Sequence, residues 1–144
     1  MVERFKKDQK LIHEVEEIYN WLDSQIKDKL QTNCQACGNC CDFNAFDHRL
    51  FVTIPELIYM AAGLNVDTLK PMESGICPYN IEGKCSVYKW RFSGCRIFNC
   101  KADADIQSEL SESVLVKLKA LCRKFQIPYR YMDLASALNS RDLF

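Results

Sequence analysis

The chain has 144 residues, and its 19 Lys and Arg balance 19 Asp and Glu to a formal net charge of zero. It therefore lacks the basic excess that marks nucleic-acid binders and attracts them to phosphate backbones. Apolar residues make up 48% of the chain, enough for a single domain over residues 1–144 with its own hydrophobic core.

A long amphipathic helix is predicted from about residue 4 to residue 30. Its apolar residues recur at steps of three or four, namely Leu11, Val15, Ile18, Leu22, Ile26 and Leu30. The period disappears after residue 30, where cysteines begin. A short helix follows, with Thr53 as its N-cap, Glu56 completing a capping box and Gly63 as its stop.

Residues 71 to 101 form a second irregular stretch that carries cysteines. Within it, Glu82-Gly83 predicts a tight turn that joins a short hairpin. The expected fold is mainly α, one small domain whose helices bracket two irregular cysteine-rich metal-binding loops over about residues 33–100.

The C-terminal part returns to helical periodicity. A helix is predicted over about residues 105–126, with Asp105 as its cap and Pro128 after its end. A last short helix begins after Asp133. We find no internal repeat and no low-complexity segment.

The N-terminal residues lack the apolar stretch of a secretory signal, and no segment is long and apolar enough to span a bilayer. We therefore expect a cytoplasmic protein with no membrane partner. In a reducing compartment, clustered thiols bind metal or do chemistry more often than they form disulfides. The chain has nine cysteines, an odd number that disulfides could not use completely.

The strongest motif is the run Cys34-Gln35-Ala36-Cys37-Gly38-Asn39-Cys40-Cys41. A gap of two residues lets two cysteines curl round one ion, and the glycine and asparagine give the backbone freedom for that turn. A second set of thiols follows at Cys77, Cys85, Cys95 and Cys100. So many thiolates packed together repel one another unless a cation or protonation relieves the repulsion.

The spacing favours an iron–sulfur cluster over zinc. Zinc sites often use paired two-residue gaps, but the second set has gaps of seven, nine and four residues. Iron–sulfur proteins use successive two-residue gaps plus a remote cysteine followed by proline, which Cys77-Pro78 provides. The predicted cluster ligands, of the 4Fe–4S type, are Cys34, Cys37, Cys40 and Cys77. The eight thiols could also hold a cluster and a separate zinc, or two metals of one kind.

The remaining cysteine and the two histidines are interpreted as structural. Cys122 lies inside the C-terminal apolar stripe and is predicted to be core. His13 is predicted to be a surface residue of the first helix. His48 could approach the site, but a structural or surface role is favoured.

The cysteine pattern resembles the CxxCxxCC family of zinc- or iron-chelating domains, the YkgJ-like cysteine-cluster proteins. The resemblance covers about residues 33–100 and includes Cys77-Pro78, Gly83-Lys84-Cys85-Ser86-Val87-Tyr88, Arg91 and Cys95-Arg96-Ile97-Phe98. It implies metal chelation by Cys34, Cys37, Cys40, Cys41, Cys77, Cys85, Cys95 and Cys100. Phe92 and Asn99 stand where the family usually has proline, which we expect to loosen the backbone near Cys95 and Cys100.

Three functions are consistent with this pattern. The first is a cluster protein that transfers electrons, senses redox state or metal, or serves as an accessory subunit, with a protein partner. The second is a metal-dependent modifying enzyme, related to the flagellin lysine methylases, in which Arg91, Arg96 and His48 could bind an anion or shuttle protons. The third is a zinc-stabilised interaction module. No phosphate-binding loop, GxSxG or HExxH motif is present, so the catalytic residues stay unknown.

Overall fold

The computed structural model describes residues 1–29, 50–82, 84–98, 103–140 and 142–143. Within these ranges the chain is mainly helical, as predicted. The helices are α1 (Val2–Phe5), α2 (Gln9–Lys29), α3 (Ile54–Leu64), α4 (Ser93–Ile97), α5 (Ala104–Phe125) and α6 (Leu134–Leu138), and a 3-10 helix spans Tyr88–Trp90. The strands are β1 (Phe51–Thr53), β2 (Asn80–Ile81), β3 (Lys84–Cys85) and β4 (Tyr131–Asp133).

The predicted first helix is divided in two. Helix α1 ends at Phe5, and Asp8 begins α2, because its carboxylate accepts a hydrogen bond from the backbone N–H of Leu11 at 3.1 Å. A short acidic side chain at this place caps a new helix instead of continuing the old one. Leu11, Val15 and Leu22 of the predicted stripe are buried on α2. Ile18 and Ile26 are only half-buried, and Tyr19, which was not in the stripe, is buried.

Helix α3 begins as predicted but ends differently. The Glu56 carboxylate accepts from both the backbone N–H and the hydroxyl of Thr53, and the capping box is present. The helix ends at Asn65, which adopts the left-handed conformation with φ 54°. Gly63 therefore lies inside the helix and is not its stop.

The ladder between β1 and β4 was not predicted. The strands are antiparallel, with Phe51 opposite Asp133 and Thr53 opposite Tyr131. Each strand leads directly into a helix, and its last residue is the N-cap of that helix, Thr53 for α3 and Asp133 for α6. The ladder thus joins the middle of the chain to its C-terminal part.

Helix α5 begins one residue before the prediction and with another cap. The Asp103 carboxylate accepts from the backbone N–H groups of Asp105 and Ile106, so Asp103 is the N-cap and Asp105 lies in the first turn. The predicted last helix, α6, is present after Asp133, whose carboxylate accepts from the N–H of Ser136.

Two groups of buried side chains form the core of the described part. The larger draws on residues from Val2 to Leu143, so both ends of the chain contribute to it. The smaller lies between α2, α4 and α5 and consists of Leu22, Ile97, Leu110, Val114 and Leu118. Within the described ranges, none of the helices combines the length and apolar character needed to cross a membrane.

Candidate metal centre

The predicted ligands divide between described and undescribed parts of the chain. Cys34, Cys37, Cys40, Cys41, Cys100 and His48 lie outside the described residues. Cys77, Cys85 and Cys95 lie within them, and all three pack against the larger core group. The geometry of these three residues shows how the second set of thiols is held.

A short hairpin contains Cys85 and follows closely after Cys77. Strands β2 and β3 pair with Asn80 opposite Cys85, and the backbone N–H of Asn80 donates to the carbonyl of Cys77 at 2.9 Å. Glu82 turns the chain with a positive φ of 52°. The predicted hairpin is therefore confirmed, although Gly83 of its turn lies outside the described residues. Cys85 is the last residue of β3, and Cys77 lies three residues before β2.

Tyr79 connects this hairpin to the segment before it. Its carbonyl accepts from both the N–H and the hydroxyl of Ser86, and its phenol oxygen accepts from the N–H of Lys70 at 2.8 Å. Burial raises the pKa of Tyr79, and negative charge on Cys77 adds to the rise. Cys77 itself is only 8% exposed, so its sulfur is held in a largely apolar setting.

Cys95 lies in the middle of the short helix α4. The backbone N–H of Ser93 at the start of that helix donates to the Glu56 carboxylate at 2.8 Å. The N-cap Phe92 has φ −66°, the value that a proline ring imposes, and its side chain is buried. Phe92 thus has the φ that a proline would have at this position, while Asn99 lies outside the described residues.

Glu56 is a buried carboxylate that joins three helices. Its side chain is 1% exposed, and its two oxygens accept from Thr53, from the N–H of Ser93 and from the Tyr19 hydroxyl at 3.4 Å. Each oxygen has at least one partner, as a buried charge requires. Glu56 thus fixes the start of α3 and of α4 against α2.

Both arginines of the second cysteine stretch are engaged with the protein itself. The Arg96 guanidinium binds Asp23 at 2.8 Å and the carbonyls of Arg91 and Lys89 at 2.9 and 3.0 Å. The guanidinium of Arg91 stacks on Tyr88 at 3.7 Å and donates to the carbonyl of Cys95 at 3.5 Å. The Arg96 side chain is only 7% exposed, so a substrate anion could not reach its guanidinium without displacing these contacts.

The sequence did not identify Tyr19 as a site residue. The apolar stripe was assigned through its neighbour Ile18, and no local pattern marked Tyr19. The Arg96 guanidinium lies 4.1 Å from the centre of its ring. Burial raises the pKa of Tyr19 well above its usual value, and the charges of Glu56 and Cys95 raise it further, while Arg96 lowers it. Tyr19 therefore lies among these three side chains.

The described thiols alone do not complete a metal site. Among the described side chains, no group of three or more His, Cys, Asp and Glu lies close enough together to hold a metal ion. Of the four predicted cluster ligands, Cys77 alone falls in this part of the chain. Its donor atom and its apolar setting fit an iron–sulfur cluster, which is bound by cysteine thiolates and tuned by its exposure to solvent.

The remaining candidates are located as the sequence predicted. Cys122 is buried in α5, and desolvation raises its pKa to about 11, with a further contribution from the charge of Glu56. Such a thiol stays protonated and inert at neutral pH. His13 is largely exposed, and its Nε2 lies 3.0 Å from the carboxylate of Glu17 on the same helix.

Comparison with known proteins adds no relative. No protein-family model, no curated protein and no solved structure matches the chain. The resemblance to the CxxCxxCC family therefore stays a prediction that rests on the cysteine spacing and on the residues around it.

Proposed function

We propose that this chain is a cytoplasmic iron–sulfur protein of the cysteine-cluster type, which acts in electron transfer, in sensing or as an accessory subunit. The cluster would be bound by Cys34, Cys37, Cys40 and Cys77, and when bound it supplies one-electron redox chemistry. The observation that carries the proposal is the position of Cys77, which is 8% exposed and belongs to the larger group of buried side chains, three residues before the hairpin strand β2.

The environment of Cys77 supports a role in metal binding. Cys77 is 8% exposed and belongs to the larger group of buried side chains. Ligation by a metal cation is a general way to stabilise a thiolate in such a place. The hydrogen bond from Asn80 to the carbonyl of Cys77 fixes the backbone next to the sulfur. Cys77 can therefore serve as the rigid ligand to which the Cys34–Cys41 run contributes the others.

The proposed cluster does not use four further thiols, those of Cys41, Cys85, Cys95 and Cys100. Four thiolates are the usual ligands of a structural zinc, so a separate zinc is the alternative that these residues support. The enzyme alternative has less support, because Arg96 is buried and Arg91 is stacked and hydrogen-bonded within the protein.

The test is purification without oxygen, followed by measurement of iron, zinc, acid-labile sulfide and visible absorbance. We expect about four iron and four sulfide per chain, as in a 4Fe–4S protein. Cys77→Ser should lose the iron and the sulfide. Cys122→Ser should keep both, and it serves as the matched control because its thiol is buried in α5.

Two results would count against the proposal in different ways. A colourless protein with stoichiometric zinc and no sulfide would show that the site binds zinc and not an iron–sulfur cluster. A protein that binds neither metal, with or without anaerobic reconstitution, would reject metal binding altogether.

A further inference from the structure

Arg96 directly follows the candidate ligand Cys95 and connects three parts of the chain. One terminal nitrogen of its guanidinium binds Asp23 on α2. The other two nitrogens donate to the carbonyls of Arg91 and Lys89, which precede α4. Arg96 therefore holds the helix that carries Cys95 against both α2 and the 3-10 helix.

Tyr19 and Glu56 hold the same short helix from the other side. The Tyr19 ring lies under the Arg96 guanidinium at 4.1 Å. The Tyr19 hydroxyl and the N–H of Ser93 both donate to the same oxygen of Glu56. Helix α4 is thus fixed at its first residue and at its fourth, and Cys95 lies between these two points.

A helix of five residues needs such external contacts. Fixing one turn of helix orders several residues for very few backbone hydrogen bonds, so an isolated turn is not stable in water. Three charge-assisted hydrogen bonds and a cation over an aromatic ring are strong enough to order it. We name Tyr19, Glu56 and Arg96 the α4 clamp.

We propose that the α4 clamp positions Cys95 as a metal ligand before the metal binds. This inference rests on the separate zinc site of the proposed function, in which Cys95 is a ligand, and it adds residues that do not touch the metal themselves. Preorganisation would reduce the ordering that ligation must otherwise impose, and so strengthen binding. Arg96 and Tyr19 are positioning residues in this account.

The first test uses metal-free, reduced protein and the rate at which iodoacetamide alkylates each cysteine. Arg96→Lys keeps the charge but loses the planar fork of donors. We expect the alkylation rate of Cys95 to rise about tenfold, because a charge-assisted bond is lost. The rate at Cys122 should not change. Arg123→Lys, an exposed substitution in the last turn of α5, is the matched control and should alter neither rate.

The second test measures how fast each protein, loaded with zinc, loses the bound zinc to a chelator. Arg96→Lys should lose it about tenfold faster than the wild type, and Tyr19→Phe should show a smaller increase because the ring under the guanidinium is kept. Circular dichroism must show the same helix content in all variants. If Arg96→Lys does not fold, Asp23→Asn replaces it, since it removes the negative charge of one partner of the same guanidinium.

The possible results distinguish the effect of the α4 clamp on Cys95 from its effect on metal binding. An unchanged alkylation rate at Cys95 in a folded variant would overturn the clamp. A raised alkylation rate with unchanged metal loss would overturn its role in metal binding. A wild type that takes up neither iron nor zinc would reject the proposed function, and this part of the inference with it, whatever the alkylation rates are.

Discussion

The indole ring of Trp90 lies directly against the backbone of Gly63 in the last turns of α3. A Cβ atom at Gly63 would come within 2.1 Å of the indole nitrogen. Gly63→Ala should therefore destabilise the protein by about 1 to 2 kcal/mol, because overpacking outweighs the gain in helix propensity. Urea unfolding measures the loss, and the fluorescence of Trp90 should shift to the red as the ring moves into water.

Gly94→Ala is the matched control. There the added Cβ would meet the end of the Leu50 side chain, which can rotate away more easily than an indole. We expect a smaller loss and no change in emission. Equal stability of wild type and Gly63→Ala would show that Trp90 does not pack on the helix in this way.

Cys122 makes a prediction about pH. Burial raises its pKa from 9.0 to about 11, so the unfolded state loses this proton first as the pH rises. The contribution of Cys122 to the free energy of unfolding is therefore fully present below pH 9 and is lost as the pH approaches 11. It corresponds to roughly 2 to 3 kcal/mol.

The measurement compares Cys122→Ala with the wild type by urea unfolding across that window, in metal-free reduced protein. The free energy of unfolding of the variant should fall less steeply as the pH rises. A difference between the two proteins that is the same at every pH reports the cavity left by the thiol. Parallel pH profiles would contradict the buried, protonated state of Cys122.

For single residues, the sequence identified the candidate metal ligands but not the residues that hold them in place. Cysteine spacing identified Cys77, Cys85 and Cys95 as candidates. The roles of Tyr19, Glu56 and Arg96 depend on partners 37 and 73 residues away along the chain, which no local pattern contains. Glu56 was recognised only as a cap, although it also binds Ser93.

Among the elements, α5 offers a direct test of its corrected N-terminus. The Asp103 carboxylate accepts from Asp105 and Ile106, so Asp103→Ala should lower the free energy of unfolding by about 1 kcal/mol. Asp105→Ala removes only a favourable charge in the first turn and should lower it by a few tenths at most. Thermal unfolding of the two variants distinguishes them, and the opposite order would restore Asp105 as the cap.

Helices could be predicted from the sequence better than strands. The caps at Thr53 and Asp133 and the apolar stripes are local signals, and α3, α5 and α6 were all expected. Strands β1 and β4 have three residues each and pair across about eighty positions, too short for a period and too distant for a turn signal. The break before α2 was missed because the predicted stripe begins only at Leu11 and gives no signal for residues 4–8, where Asp8 caps α2.

For the whole molecule, the core of the described part is formed mainly by residues outside the cysteine loops, although Cys77, Tyr79 and Phe92 of the second loop also belong to it. Its largest fully buried side chains include Tyr19, Leu57, Leu118 and Leu143, which come from the helices and the C-terminus. We therefore expect the metal-free protein to keep its helical circular dichroism and to unfold cooperatively. Collapse to an unfolded spectrum on chelation would instead indicate a structural metal, as in a zinc-stabilised module.

The overall architecture was predictable as a class, mainly helical with a hairpin within the second irregular stretch. The single core was expected from the chain length and composition, and its apolar residues from Val2 to Leu143 agree with one domain over the described ranges. How the two cysteine stretches meet could not be predicted, because it depends on long-range contacts and on residues 30–49 and 99–102, which lie outside the described part.

The central claim is that thiols from both stretches bind one metal group. Anomalous scattering at the iron and zinc edges, measured from a single crystal grown without oxygen, tests it most directly. We predict anomalous iron peaks at bonding distance from the sulfur atoms of Cys34, Cys37, Cys40 and Cys77. Sulfur atoms that lie far apart, or that are joined in disulfides with no anomalous peak between them, would contradict the account.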